Sequence, residues 1–165
     1  MLELESEVSE VYLRPGESYL ARKPAIIRTI LGSCVGVTFW SGRIGAGALC
    51  HAQLPRCPPN SSSELSLAAG RRYVDFSIRD LARQFDQLGA IRSEVQVKLF
   101  GGADVLLVGA APSSKPTVGR LNCETAIEVV RDEGFHVIAS SLGGTAGLNI
   151  RFDTRTGEVL VRRLG

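Results

Sequence analysis

Long apolar runs are missing from this sequence. No stretch reaches the ~18 residues a membrane-spanning helix requires, so insertion into a bilayer is not expected. The first ten residues, MLELESEVSE, lack the basic flank and apolar run of a signal peptide. A cytoplasmic protein with reduced thiols is therefore expected. One-sided charge is missing too. Nineteen Lys and Arg face seventeen Asp and Glu, a net charge of +2, which gives no electrostatic reason to invoke nucleic acid. Arg71-Arg72 and Arg162-Arg163 read as solvated surface pairs.

Cysteine is sparse and histidine sparser, with four and two residues. Cys34, Cys50, Cys57 and Cys123 form no C-x-x-C pair, so no disulfide framework is expected. A zinc site built on Cys50, His51 and Cys57 lacks a fourth ligand. No repeat or linker divides the 165 residues, so residues 1–165 are read as a single domain with room for a core. Its 44% hydrophobic and 22% charged residues are usual for a globular protein.

Residues 8–31 alternate loosely between apolar and polar around the turn signal RPGE and predict two or three short strands. The Pro-, Ser- and Ala-rich stretch 56–70 reads as a mobile loop. Val74, Ile78, Leu81, Phe85 and Leu88 recur at helical spacing, and Gly89 ends that helix. EVQVKLF is a strand with Val95, Val97 and Leu99 on one face. A Gly/Ala/Pro/Ser connection follows. Thr117 then caps a second helix whose buried face is read as Cys123, Ala126, Ile127 and Val130, which makes Cys123 a small core hydrophobe. FHVIASSLGG is a strand entering a glycine loop, with His136 read as half-buried. LNIRF, DTRTGE and VLVRRL make a closing hairpin. Strands before, between and after two main helices predict an α+β fold: a layered domain of mixed β-sheets with helices packed over sheet.

The stretch TILGSCVGVTFWSGRIGAGALCHAQLP carries one reactive side chain at the outer end of each of two apolar runs. A two-residue loop at Gly42-Arg43 would pair Ser41 with Ile44 and place Cys34 directly opposite His51. Opposed side chains share a face, about 4.5–5.5 Å apart at Cβ. In this register Val35, Val37, Phe39, Ile44, Ala46, Ala48 and Cys50 form an apolar face. The other face carries Cys34, Gly36, Thr38, Trp40, Gly45, Gly47, Leu49 and His51, and its glycines leave space for a ligand or another segment. Imidazole beside a thiol can take its proton. Backbone N–H groups around Gly32, Ser33 and Cys34 would stabilise the oxyanion formed on attack at an acyl carbon. A buried structural cysteine with an unrelated edge histidine is the competing reading.

Leu31-Gly32-Ser33-Cys34, then Gly47 to His51 with Leu54-Pro55, resembles the chemoreceptor glutamine deamidases, the CheD family of bacterial chemotaxis. RYVD, KLFGGA, VGRLN, ASSLGGTAG and TGEVLVRRL extend the likeness in order along nearly the whole chain. The resemblance implies hydrolysis of glutamine side-chain amides in methyl-accepting chemotaxis receptors, with Cys34 as nucleophile and His51 as base. It implies no metal or cofactor, a fold similar to cysteine-dependent deamidase toxins, and a CheC-type phosphatase as a further candidate partner. The family's third catalytic residue, a threonine six positions before the cysteine, is Arg28 here. Thr29, one residue along, is the candidate for that role, although adjacent strand residues face opposite sides. Arg28 could alternatively bind an acidic group near the receptor glutamine. Leu148 stands where the family often has arginine. Two other readings remain open: a CheD-like binding module that deamidates little or not at all, and a cysteine hydrolase of another amide.

Overall fold

The computed structural model describes residues 7–59, 65–105 and 115–165. In chain order its elements are β1 (Ser9–Tyr12), β2 (Ser18–Ala21), β3 (Ala25–Leu31), β4 (Val35–Ser41), β5 (Ala46–Ala52), α1 (Leu67–Gly70), α2 (Val74–Gln87), β6 (Gln96–Gly101), α3 (Val118–Asp132), β7 (His136–Leu142), β8 (Leu148–Asp153) and β9 (Val159–Arg163). They form two sheets of mixed direction, ordered β1-β3-β8-β9 and β2-β5-β4-β6-β7.

Two cores organise three layers. Val37, Phe39, Cys50, Ile78, Phe85, Leu99 and Val129 fill the space between the five-stranded sheet and the helices. Ile27, Leu31, Leu49, Phe100, Ile150 and Phe152 fill the space between the two sheets. This is the layered α+β arrangement that the alternation of strands and helices predicted. Helix α2 forms over the expected span because its apolar residues repeat at helical spacing. Ile78, Leu81 and Phe85 are fully buried, each contributing about 1.5–3 kcal/mol.

The β4–β5 hairpin differs from expectation in register and agrees in faces. Ser41 pairs with Ala46, so the loop is Gly42 to Gly45, and Gly36 rather than Cys34 stands opposite His51. Gly45 adopts φ +62 and donates its N–H to the Gly42 carbonyl at 3.3 Å. A glycine in this left-handed conformation closes the longer turn without steric cost. Because side chains alternate with period two, a shift of two residues keeps every residue on its predicted face. Val35, Val37 and Phe39 still face the helices, and Leu49 and His51 still face the other sheet. The expected space over glycine is filled by that sheet: a Cβ on Gly36 would lie 3.0 Å from Leu31, and one on Gly47 2.9 Å from Thr154.

Three smaller expectations change. Thr117 caps α3, accepting from the Arg120 N–H at 3.2 Å, but the buried face runs through Gly119, Asn122, Ala126, Val129 and Val130. Ile127 is exposed and Cys123 sits at the core's margin. His136 is exposed rather than half-buried, because β7 is an edge strand. The stretch 56–70 is not loop throughout: residues 67–70 make one helical turn, capped by Ser66. Residues 60–64 of that stretch, 106–114 of the glycine-rich connection and the N-terminal 1–6 lie outside the described residues. Among the described residues, no helix is long and apolar enough to cross a membrane.

Candidate active site

Strand β3 buries Thr29 and turns its neighbour Arg28 outward, as alternation requires. Thr29 thereby reaches across the inter-sheet core to His51 on β5. Its Oγ1 lies 2.7 Å from His51 Nδ1 and 2.9 Å from the Leu13 carbonyl oxygen. A carbonyl only accepts, and threonine has one hydroxyl proton. Thr29 therefore donates to Leu13, and its oxygen accepts from His51 Nδ1–H. That assigns the tautomer and leaves Nε2 as the basic nitrogen. Nε2 is buried and has no hydrogen-bond partner among the described residues.

His51 is 2% exposed. Burial penalises the charged imidazolium and pushes its pKa down to about 4, so the ring is neutral near pH 7. Cys34 is half-buried and packs against the same inter-sheet core, on the side to which His51 points. Burial raises its thiol pKa, partly offset by its own backbone N–H. Both shifts favour a neutral thiol and a neutral imidazole at rest.

The turn before Cys34 is held by three consecutive carbonyls. Gly32 accepts from the Ala103 N–H at 2.9 Å and Cys34 from the Gly102 N–H at 2.8 Å. Ser33, between them, accepts from Asn122 Nδ2 at 2.9 Å. The GG of KLFGGA explains the close approach: a Cβ on Gly101, at φ +97, would stand 2.3 Å from the Cys34 carbonyl oxygen. Asn122 was not singled out from sequence. Its signal was a polar residue at helical spacing from Gly119 and Ala126, at the end of the VGRLN stretch.

Beside this turn lies a cavity of about 450 Å³ lined by Ser33, Gln53, Leu54, Asp104, Thr117 and Gly119, among others. Its volume falls in the ordinary range for ligand sites. Thr117 donates its hydroxyl to Asp104, fixing the carboxylate at the rim. Cys50 points into the helix-side core, where burial pushes its pKa up to about 12, while adjacent His51 points between the sheets.

Comparison with known proteins adds relatives of similar length. The family model described as "CheD chemotactic sensory transduction" matches residues 54–163. A "Probable chemoreceptor glutamine deamidase CheD 2" of Geobacter sulfurreducens is 42% identical over 158 residues, covering 96% of this chain and 92% of the relative. Proteins named "Probable chemoreceptor glutamine deamidase CheD" are 36% identical in Maridesulfovibrio salexigens, covering 97% of this chain and 95% of the relative. In Rhodospirillum rubrum the identity is 38%, covering 93% and 81%.

Proposed function

The chain belongs to the CheD family, and we propose that it hydrolyses the side-chain amides of selected glutamines in methyl-accepting chemotaxis receptors. Cys34 is the nucleophile and His51 the acid–base. Thr29 orients the imidazole, and backbone N–H groups of the Gly32–Ser33–Cys34 turn stabilise the oxyanion.

The observation that carries this reading is the Leu13–Thr29–His51 relay. It consumes Nδ1 and presents an unprotonated, unpartnered Nε2 on the face against which Cys34 packs. In the reaction, the thiol proton passes to Nε2 as sulfur attacks the glutamine carbonyl carbon. The tetrahedral oxyanion collapses with protonation of the leaving nitrogen by His51, releasing ammonia and leaving a thioester. Neutral His51 then deprotonates water, which hydrolyses the thioester to glutamate and returns the thiol. No step needs a metal or redox group.

Arg28, which supported the reading of an inactive binding module, points outward within 3.7 Å of Glu10. The contact that would orient His51 is made by Thr29 instead. On this reading the protein works in the cytoplasm on the receptors, and a CheC-type phosphatase is a further candidate partner. Mass spectrometry of a cognate receptor fragment tests the reading. A gain of ~1 Da at a glutamine follows from exchanging NH₂ for OH. It should appear with the protein and be absent with Cys34→Ala or His51→Ala; no gain from folded protein on a verified receptor overturns it.

A further inference from the structure

Asn122 is wholly buried on α3, on a face it shares with Gly119, Thr125 and Ala126. Its amide nitrogen donates twice, to the Ser33 carbonyl at 2.9 Å and the Gln53 carbonyl at 3.1 Å. Ser33 immediately precedes Cys34, and Gln53 follows His51 by two residues. One carboxamide thus ties the nucleophile's turn to the end of the strand carrying the base. Its oxygen, Oδ1, is buried without a partner among the described residues. The reverse orientation would aim oxygen at two carbonyl oxygens and is excluded by repulsion. A buried acceptor left unpaired works against stability. An apolar residue would serve packing better, so this asparagine is explained by the two carbonyls it holds.

We infer that Asn122 is a positioning residue for the deamidation reaction, an assignment that rests on the reading above. A peptide unit is planar and, as no cis bond occurs in the described chain, trans. Its C=O and N–H therefore point in opposite directions. Holding the Ser33 carbonyl against α3 turns the N–H of Cys34 away from the helix and toward the thiol. That N–H acts on the sulfur already, lowering its pKa against the effect of burial. It is the backbone donor best placed for the oxyanion that forms when the sulfur attacks. Gly102 and Ala103 fix the peptides on either side through main-chain bonds. The central one alone depends on a side chain. Asn122 acts through that peptide and touches no reacting atom itself.

Two variants separate positioning from stability. Asn122→Leu fills nearly the same volume without a donor, and Asn122→Asp keeps the shape but repels both carbonyls. Each is measured for kcat and KM on the receptor fragment, per folded molecule as judged by thermal melting. The pH profile of Cys34 alkylation by iodoacetamide is followed in parallel, resolved by peptide mass spectrometry. Positioning predicts a fall in kcat of about 100-fold, of the size seen on losing an oriented oxyanion donor, with KM changed less than about threefold. It also predicts that the alkylation inflection shifts by more than about half a pH unit. If either folded variant keeps wild-type kcat or the wild-type alkylation profile, the inference is wrong. If both variants fail to fold, Asn122→Ser, a smaller residue with one donor, is held to the same criteria. Alkylation needs no receptor. Absence of deamidation by wild-type protein would therefore defeat the functional reading, while an unshifted profile would defeat the role of Asn122.

Discussion

Thr29 and His51 stand on different sheets, 22 residues apart in sequence, and share a hydrogen bond of 2.7 Å. The pair ties His51, the proposed acid–base residue, to a strand that carries no other polar inward side chain: Ala25, Ile27 and Leu31 complete the inward face of β3.

Removing this bond should slow catalysis without removing the base. In Thr29→Ala, Nδ1 loses its acceptor and the ring its preferred tautomer, so kcat should fall about 10–100-fold. Thr29→Ser keeps the hydroxyl and should retain most activity. Arg28→Thr alters an outward residue and should leave kcat within about twofold. Deamidation of the receptor fragment, read by mass, checks all three. Inactivity of Arg28→Ala alone would reassign the role.

Cys34 should react slowly as a free thiol at neutral pH. Burial holds its pKa above the ordinary value of 9.0, so iodoacetamide labelling should climb with pH to an inflection above that value. Site-resolved peptide mass spectrometry is required, because Cys123 is shifted in the same direction. A plateau reached below pH 7 would show that a thiolate–imidazolium pair exists at rest.

Burial of His51 has a consequence for stability. Its pKa falls from the ordinary 6.5 to about 4 on folding. Between those values the unfolded chain binds a proton that the folded chain does not. The contribution is therefore intact above pH 6.5 and lost as pH falls toward 4, up to about 3 kcal/mol in total. Urea titrations across this interval should show a slope that is missing in His51→Leu.

The close approach of β6 to the turn at Cys34 makes Gly101 intolerant. Gly101→Ala would place a methyl 2.3 Å from the Cys34 carbonyl at a positive φ. A loss of about 3 kcal/mol or more, roughly 6–12 °C in Tm, is expected by thermal melting, with turnover impaired in whatever remains folded.

The orientation of α3 gives a simpler test. Ile127 is 40% exposed and Val129 is fully buried. Ile127→Glu should change stability by no more than about 0.5 kcal/mol. Val129→Glu buries a charge without a partner and should prevent stable folding.

Much of this was legible along the chain because the signals were local. Period-two alternation sorted β4 and β5 into a helix-facing and a sheet-facing side even though the loop was assigned two residues too few. The error was harmless to the faces and decisive for the pairing: it set Cys34 opposite His51, where the structure has Gly36. Loop length depended on which glycine adopts positive φ, and both Gly42 and Gly45 could have supplied it. The face of α3 was misread because Cys123 and Ile127 look more apolar than Asn122. Asn122 is buried only because two backbone carbonyls, from distant parts of the chain, meet its amide there.

By itself the sequence determined the layered α+β class, the capped helices, and the placement of Cys34 and His51 at the ends of neighbouring runs. These follow from side-chain period, turn chemistry and residue type, all of which act over a few residues. Tertiary structure decided what those side chains meet. Packing one sheet on the other brought Thr29 rather than Arg28 to His51, because alternation leaves only one of two adjacent residues facing inward. It also brought Asn122 to the turn at Ser33, 89 residues earlier in the chain. Contacts at such separations depend on how the layers stack, and no local pattern encodes them.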